Sequence, residues 1–414
     1  MGHRIATVLI SALVALLNAQ AVAAAPDAAV LAAARACEPQ ARALLQRLVN
    51  VDSGTANVAG LDALGKLLQD ELETLDATVR RVPSTVPGLA DSLLASWTGT
   101  GRGRILLIAH MDTVFVAGVA AERPYRIEGN RGIGPGAGDD KQGIVTGLCA
   151  VRALREIGFR DYERIALIVN SNEETGSTGS GDLIRAEAAA SHVALNLERG
   201  VPPDGVVVAR KGSAKMAIEI TGRAAHSGLE PEQGRNAVVE AAHQILAIGD
   251  LADAAKETTV NVTMMSGGNA ANVIPERATI TVDVRAFTTA EFDRVEAGMQ
   301  RLARAVTVPD VTVMATLNRG FPPWPRSAST DALLAFANEL YAEIDRSLTA
   351  IVVGSSADAA LAAEVGTPAL DGLGAIGGGA HGVDDHADLT TFVPRIYLLA
   401  RLLMEIGRDP NAFE

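Results

Sequence analysis

The run Arg104-Ile-Leu-Leu-Ile-Ala-His110 decides the fold. It is short and apolar, bounded by Gly103 and polar residues, and Arg164-Ile-Ala-Leu-Ile-Val-Asn170 repeats it. Between the two, residues 143–157 carry helical spacing. Strand, helix, strand in that order predicts a parallel sheet. A third strand, 192–197, follows a helix-like stretch at 180–190 and extends the alternation. Upstream, Leu44, Leu45, Leu48 and Val49, then Leu61, Leu64, Leu67, Leu68 and Leu72, mark two surface helices between Ala28 and Leu75.

Further along the chain the pattern changes. Residues 215–221 and 279–285 alternate apolar and polar, as half-buried antiparallel strands do, with helical spacing at 236–248 and 289–306. This predicts a smaller α+β domain inserted at 211–321. The Pro-rich segment from Phe321 to Arg326 reads as a hinge or linker. Helices at 331–344 and 389–406 then flank the glycine-rich loop 372–382 and return the chain to the first domain. The expected fold class is α/β: a mainly parallel central sheet flanked by helices, built from 26–210 and 322–414, with the insertion between them.

The 414 residues suffice for two cores, and 48% hydrophobic residues, 3% aromatics and 40 glycines suit an aliphatic α/β core with many turns. A net charge of −13 argues against nucleic acid and anionic membrane as partners, since both reward a basic surface. Residues 1–25 have a basic start, an apolar stretch from Ile5 to Leu17 and an Ala21-Val22-Ala23 pattern. That is a signal peptide, too short to span a bilayer, and it predicts export to a bacterial periplasm with no membrane attachment after cleavage. Cys37 and Cys149 either pair in that oxidising compartment or stay as buried thiols; the sequence leaves both open.

The chemistry is carried by acids and histidines. His110 and Asp112 are two apart on a strand and share a face, so Asp112 can orient the His110 ring. In GPGAGDDKQG, 134–143, Asp139 and Asp140 would repel phosphate, so a cation suits the loop better. Glu173 and Glu174 follow the second strand, Glu198 the third, and His381 follows Gly377, Gly378 and Gly379. Ligands bind at such strand ends in open α/β sheets. Three carboxylates and two imidazoles suit a pair of Zn²⁺ ions better than a thiolate site would. His192 and His243 read as structural, and Asp384 and Asp385 as a solvated acidic loop.

HMDT, GPGAGDDKQG, NEETGS, NLERG and GGGAHG together resemble the motifs of the cocatalytic di-zinc exopeptidase and deacylase superfamily. That superfamily contains glutamate carboxypeptidase, aminoacylase and succinyl-diaminopimelate desuccinylase. The stretches LVNVDSGT, HMDTVF, GRAAHSG and NVIP are most similar to the bacterial folate-cleaving glutamate carboxypeptidases. The resemblance implies two Zn²⁺ ions, with Co²⁺ or Mn²⁺ as substitutes, on His110, Asp139, Glu174, Glu198 and His381, with Asp139 bridging. It implies Glu173 as general base, moving a proton from the attacking water to the leaving nitrogen, with Asp112 orienting His110. It also implies His226 of the inserted domain at the oxyanion, supplied across a homodimer, and Asn272 and Arg285 as clamps for a free carboxylate. The implied reaction releases a C-terminal amino acid from a small acyl-amino acid or peptide. Phe321 stands where glutamate-releasing relatives carry a basic residue, so the released residue is expected to be glutamate or an apolar or aromatic one. Two alternatives are an N-acyl amino acid or diamine deacylase of the same superfamily and a binding protein without catalysis; the intact Glu173 and five ligands oppose the second.

Overall fold

The computed structural model describes residues 25–413; the leader expected at 1–25 lies almost wholly outside them. A six-stranded sheet runs in the order Thr78–Val82, Ser92–Thr98, Arg164–Asn170, Arg104–His110, Val193–Asn196, Ala369–Leu370. The last four strands pair in parallel and the first two join them antiparallel. Side chains alternate across it: Ile105, Leu107, Ile165, Leu167 and Leu195 enter one cluster, while Leu106, Ile108, Ala166 and Ile168 enter another. Both faces are covered, so the strands read as unbroken apolar runs instead of alternating ones. Helices Ala28–Val49, Gln142–Glu156 and Phe392–Arg408 pack on the first face, and Gly181–Ala189 with Ala359–Glu364 on the second.

Cys37 and Cys149 form a disulfide with Cα atoms 5.9 Å apart, tying helix Ala28–Val49 to helix Gln142–Glu156. Among the described residues, no helix is long and apolar enough to cross a membrane.

Residues 212–319 build a second core. Four antiparallel strands in the order Thr259–Gly267, Arg277–Ala286, Gly212–Thr221, Thr312–Arg319 put Met216, Ile218, Ile220, Ile280, Val282 and Val284 under helices Ala237–Ile248 and Thr289–Arg304. The outer edge strand stays uncovered, with Met264 and Met265 exposed.

Two chain segments join the cores side by side. Arg210 and Trp324 exchange backbone hydrogen bonds, and the Ser213 N–H donates to the Phe321 carbonyl at 3.0 Å. Gly212 is required here because a Cβ would lie 2.6 Å from the Pro323 nitrogen. The segment 321–326, expected to be a hinge or linker, is therefore anchored: Phe321 and Trp324 are buried with Leu94, Leu106 and Ile108. Phe321 packs in the core of the larger domain.

Candidate metal centre

Three strand ends of the central sheet supply four of the expected groups. His110 ends its strand, Glu173 and Glu174 occupy a single turn just past Asn170, and Glu198 lies two residues beyond Asn196. Asp139 comes from elsewhere, a distorted turn ahead of helix Gln142–Glu156, and His381 from the loop after strand Gly377–Gly378, with a positive φ of 63°.

These groups converge. His110 Nε2 lies 3.2 Å from Asp139 Oδ1 and 3.6 Å from Glu198 Oε1. His381 Nε2 lies 3.2 Å from Glu174 Oε2 and 3.5 Å from Asp139 Oδ2. The two oxygens of Asp139 thus face two different imidazoles, which is the placement a bridging carboxylate needs. Donor atoms of His110, Glu173 and Glu198 lie within 4.8 Å of one another, as do those of Asp139, Glu174 and His381. Oxygen and imidazole donors in two such sets fit divalent cations of the zinc type.

The charge distribution points the same way. Burial opposes the charge on His110, yet contacts with Asp112, Asp139 and Glu198 outweigh it and raise its pKa well above the usual imidazole value. Burial, reinforced by Glu198 and Asp358, pushes Glu173 well above the carboxylate range. Burial likewise raises Asp140, whose carboxylate faces Glu198 and Asp139. Acids packed this tightly repel one another unless cations sit among them.

Asp112 does more than touch the His110 ring, whose Nδ1 is 3.3 Å from Asp112 Oδ1 and 3.1 Å from the Asp112 carbonyl oxygen. Its carboxylate accepts the backbone N–H groups of Glu173 and Glu174 at 3.0 and 3.2 Å and the Thr55 hydroxyl at 2.7 Å. One buried carboxylate therefore sets both the histidine strand and the glutamate turn. Beneath that turn, Asn170 donates to Asp358 and Ser177. Burial pushes Asp358 up to about 6 against the pull of the hydrogen bonds it accepts from the Ser177 hydroxyl and from Asn170.

Asp385 is a correction: expected in a solvated loop, it is buried, and its two oxygens accept the N–H groups of Gly136 and Gly138 at 2.7 and 3.0 Å. A Cβ at 138 would come within 2.5 Å of the His386 carbonyl, so glycine lets the Asp139 loop lie against the His381 loop. Arg199 was also missed; its guanidinium is 2.9 Å from Asp139 Oδ2.

The residues expected from the inserted domain are not brought to the cluster within one protomer. His226 is exposed, and its Nδ1 accepts the N–H groups of Gly228 and Leu229. Asn272 is exposed in the neighbouring loop, where its carbonyl accepts the Ser227 N–H. Arg285 pairs with Asp283 and donates to the Ser356 hydroxyl, whose own proton goes to the Lys211 carbonyl.

The chain is 35% identical over 410 residues, 98% of each chain, to Carboxypeptidase G2 of Pseudomonas sp. (strain RS-16). The M20 peptidase dimerisation domain matches residues 208–311, and peptidase family M28 matches residues 92–247. The chain belongs to the M20 metallopeptidase family. Aminopeptidase PepT from Bacillus cereus superposes with a TM-score of 0.74 at 23% identity, covering 89% of this chain and 98% of that one. The M20 family metallo-carboxypeptidase Sso-CP2 from Sulfolobus solfataricus gives 0.71 at 16%, covering 87% and 97%. As an M20 member, the chain is a divalent-metal-dependent hydrolase of amide bonds.

Proposed function

We propose that this M20 enzyme releases a C-terminal amino acid from an N-acyl or peptide substrate with two Zn²⁺ ions, one on His110, Asp139 and Glu198, the other on Asp139, Glu174 and His381. The carrying observation is the Asp139 carboxylate with one oxygen turned to each imidazole. Bound there, the cations supply Lewis acidity to the scissile carbonyl and acidify the attacking water. Glu173 accepts that water's proton and delivers it to the leaving nitrogen. Its carboxylate lies beside the proposed cations, with donor atoms of His110 and Glu198 within 4.8 Å of it. Asp112 keeps Glu173 and His110 in register.

The surroundings divide the substrate in two. A cavity of about 550 Å³ opens beside Glu174, between residues 54–57 and 113–117, with Val114 and Phe115 in its wall. Its apolar lining suits the acyl side. Basic groups lie elsewhere: the Arg285 guanidinium donates to the Ser356 hydroxyl, and Arg210 is buried against Asp371. A free carboxylate on the released residue fits that side, with Arg285 exchanging Asp283 for it.

The enzyme works as a homodimer through the inserted domain, where Val239 and Leu246 on one helix and Met264 and Met265 on the edge strand are exposed. In that assembly, the partner subunit's His226 stabilises the oxyanion. Export to the periplasm accords with the leader and with the Cys37–Cys149 bridge.

The test is release of free amino acid from N-acyl-Glu, N-acyl-Phe and N-acyl-Leu by chelator-stripped and Zn²⁺-restored protein. Zn²⁺-dependent release supports the reading and names the residue. Release only from acyl diamines moves it to the deacylases, and no release from any compound sinks it.

A further inference from the structure

The two halves of the metal centre are not equivalent, and one cation of the protein itself makes the difference. His110 is 2% exposed, whereas the His381 side chain is 56% exposed. Asp139 Oδ1 faces only the buried His110 side. Asp139 Oδ2 faces His381 at 3.5 Å and also the Arg199 guanidinium at 2.9 Å. A guanidinium stays charged at any working pH and has donors only, so it competes for an oxygen without becoming a ligand.

Arg199 is anchored at its backbone. It directly follows Glu198, and its backbone is pinned next door: the Gly200 N–H donates to the Ala375 carbonyl at 3.0 Å, and the Gly377 N–H donates to the Gly200 carbonyl at 3.2 Å. Any cation seated by Asp139 Oδ2, Glu174 and His381 therefore shares an oxygen with the guanidinium that pairs with it in this structure. Like charges a few ångströms apart disfavour each other, most where water screens them least, and the Arg199 side chain is only 32% exposed.

Resting on the two-cation reading, we propose that Arg199 sets the order of metal loading. The His110 side fills first and tightly; the His381 side fills second, more weakly, and exchanges with the surroundings. Arg199 thereby ties full activity to free divalent cation and keeps Asp139 turned toward both sites while the second is empty. It acts on the metals through Asp139 and touches no reacting atom.

The test is a zinc titration of stripped full-length protein, followed by calorimetry and by metal content after dialysis at fixed free Zn²⁺. Wild type should give two dissociation constants on the order of a hundredfold apart, the scale on which one neighbouring charge acts at short range. Arg199→Gln should tighten the weaker step at least roughly tenfold and move the tighter one far less, whereas Arg199→Lys keeps the wild-type gap. His381→Ala should delete the weaker step. A Gln variant that leaves the gap unchanged, or weakens the second ion, overturns the role of Arg199 while two ions still bind. One ion in wild type and two in the Gln variant supports it; a single ion in every variant overturns the two-cation reading and Arg199 with it.

Discussion

Asp385 holds Gly138 in place: a carboxylate four residues beyond one metal-site histidine accepts, at 3.0 Å, the N–H of the residue just before Asp139. Its other oxygen takes Gly136 at 2.7 Å. Two loops far apart in sequence are thus locked at the distance the cluster requires. Removing the carboxylate by Asp385→Ala strands two buried N–H groups and frees the Asp139 loop. Metal affinity should fall about ten- to a hundredfold, as it does when groups that orient ligands are lost. Calorimetric zinc titration checks this; a variant that only melts earlier, with unchanged affinity, would assign Asp385 a purely structural role.

Glu173 stands close enough to His110 and Glu198 to ligate, so its part in the reaction needs a direct test. Glu173→Ala should lower turnover by about 10²–10⁴ while metal content stays near wild type. Asp139→Ala should lose both, since the proposed sites share that carboxylate. Equal metal loss in the two variants would make Glu173 a ligand and leave the base unassigned.

Much of this centre was legible in the chain because its strands are buried on both faces and their ends are marked by acids or histidine. The runs 104–110 and 164–170 needed only the period of their apolar residues, and both strands have those bounds. Asp385 was not legible. An acid in DDHAD looks solvated until the 134–138 loop closes over it, and that contact spans about 250 residues. The burial of Phe321 was hidden for the same reason: it follows from how two segments run between the cores. The cysteine pair depended on two helices meeting. Arg199 did carry a signal, since a cation beside a ligand acid invites the question of what it faces.

His226 is exposed and meets none of the cluster residues in its own protomer, so the dimer reading can be tested by mixing. His226→Ala and Glu173→Ala proteins should each be nearly inactive. Unfolded together and refolded, they should recover roughly a quarter of wild-type activity, because in mixed dimers one site pairs an intact Glu173 with the partner subunit's intact His226. No recovery, with mixed dimers present, would place His226 in its own protomer's site or outside catalysis.

Acid stability of the inserted domain should depend on Glu291. Its carboxylate is bonded by Arg294, by Lys256 at 2.7 Å and by the Thr258 hydroxyl at 2.8 Å. The Arg294 bond first, against some burial, then Lys256 and Thr258, bring its pKa from 4.5 down to about 2. A depressed folded pKa means that stability from Glu291 is present above pH 4.5 and lost as pH falls through about 2. Glu291→Gln should lower the melting temperature at pH 7, and the deficit should shrink to nothing by the bottom of that window. High salt should reduce the effect, because Lys256 is half exposed. A deficit that does not change with pH would trace instead to packing at the start of helix Thr289–Arg304.

The Cys37–Cys149 bridge closes a loop of 112 residues between the first helix and the helix that begins just after Asp139 and Asp140. Cross-linking so long a loop restricts the unfolded chain, and its loss should cost about 2–4 kcal/mol. Replacing both cysteines by serine should therefore lower the denaturant midpoint, and reducing the wild type should bring it to nearly the same value. Both partners lie on buried faces where helix Ala28–Val49 meets helix Gln142–Glu156, so the contact persists without the bond and the fold survives. If the reductant leaves the wild-type midpoint where it was, the thiols are unpaired in the isolated protein, and the bridge no longer supports an oxidising compartment.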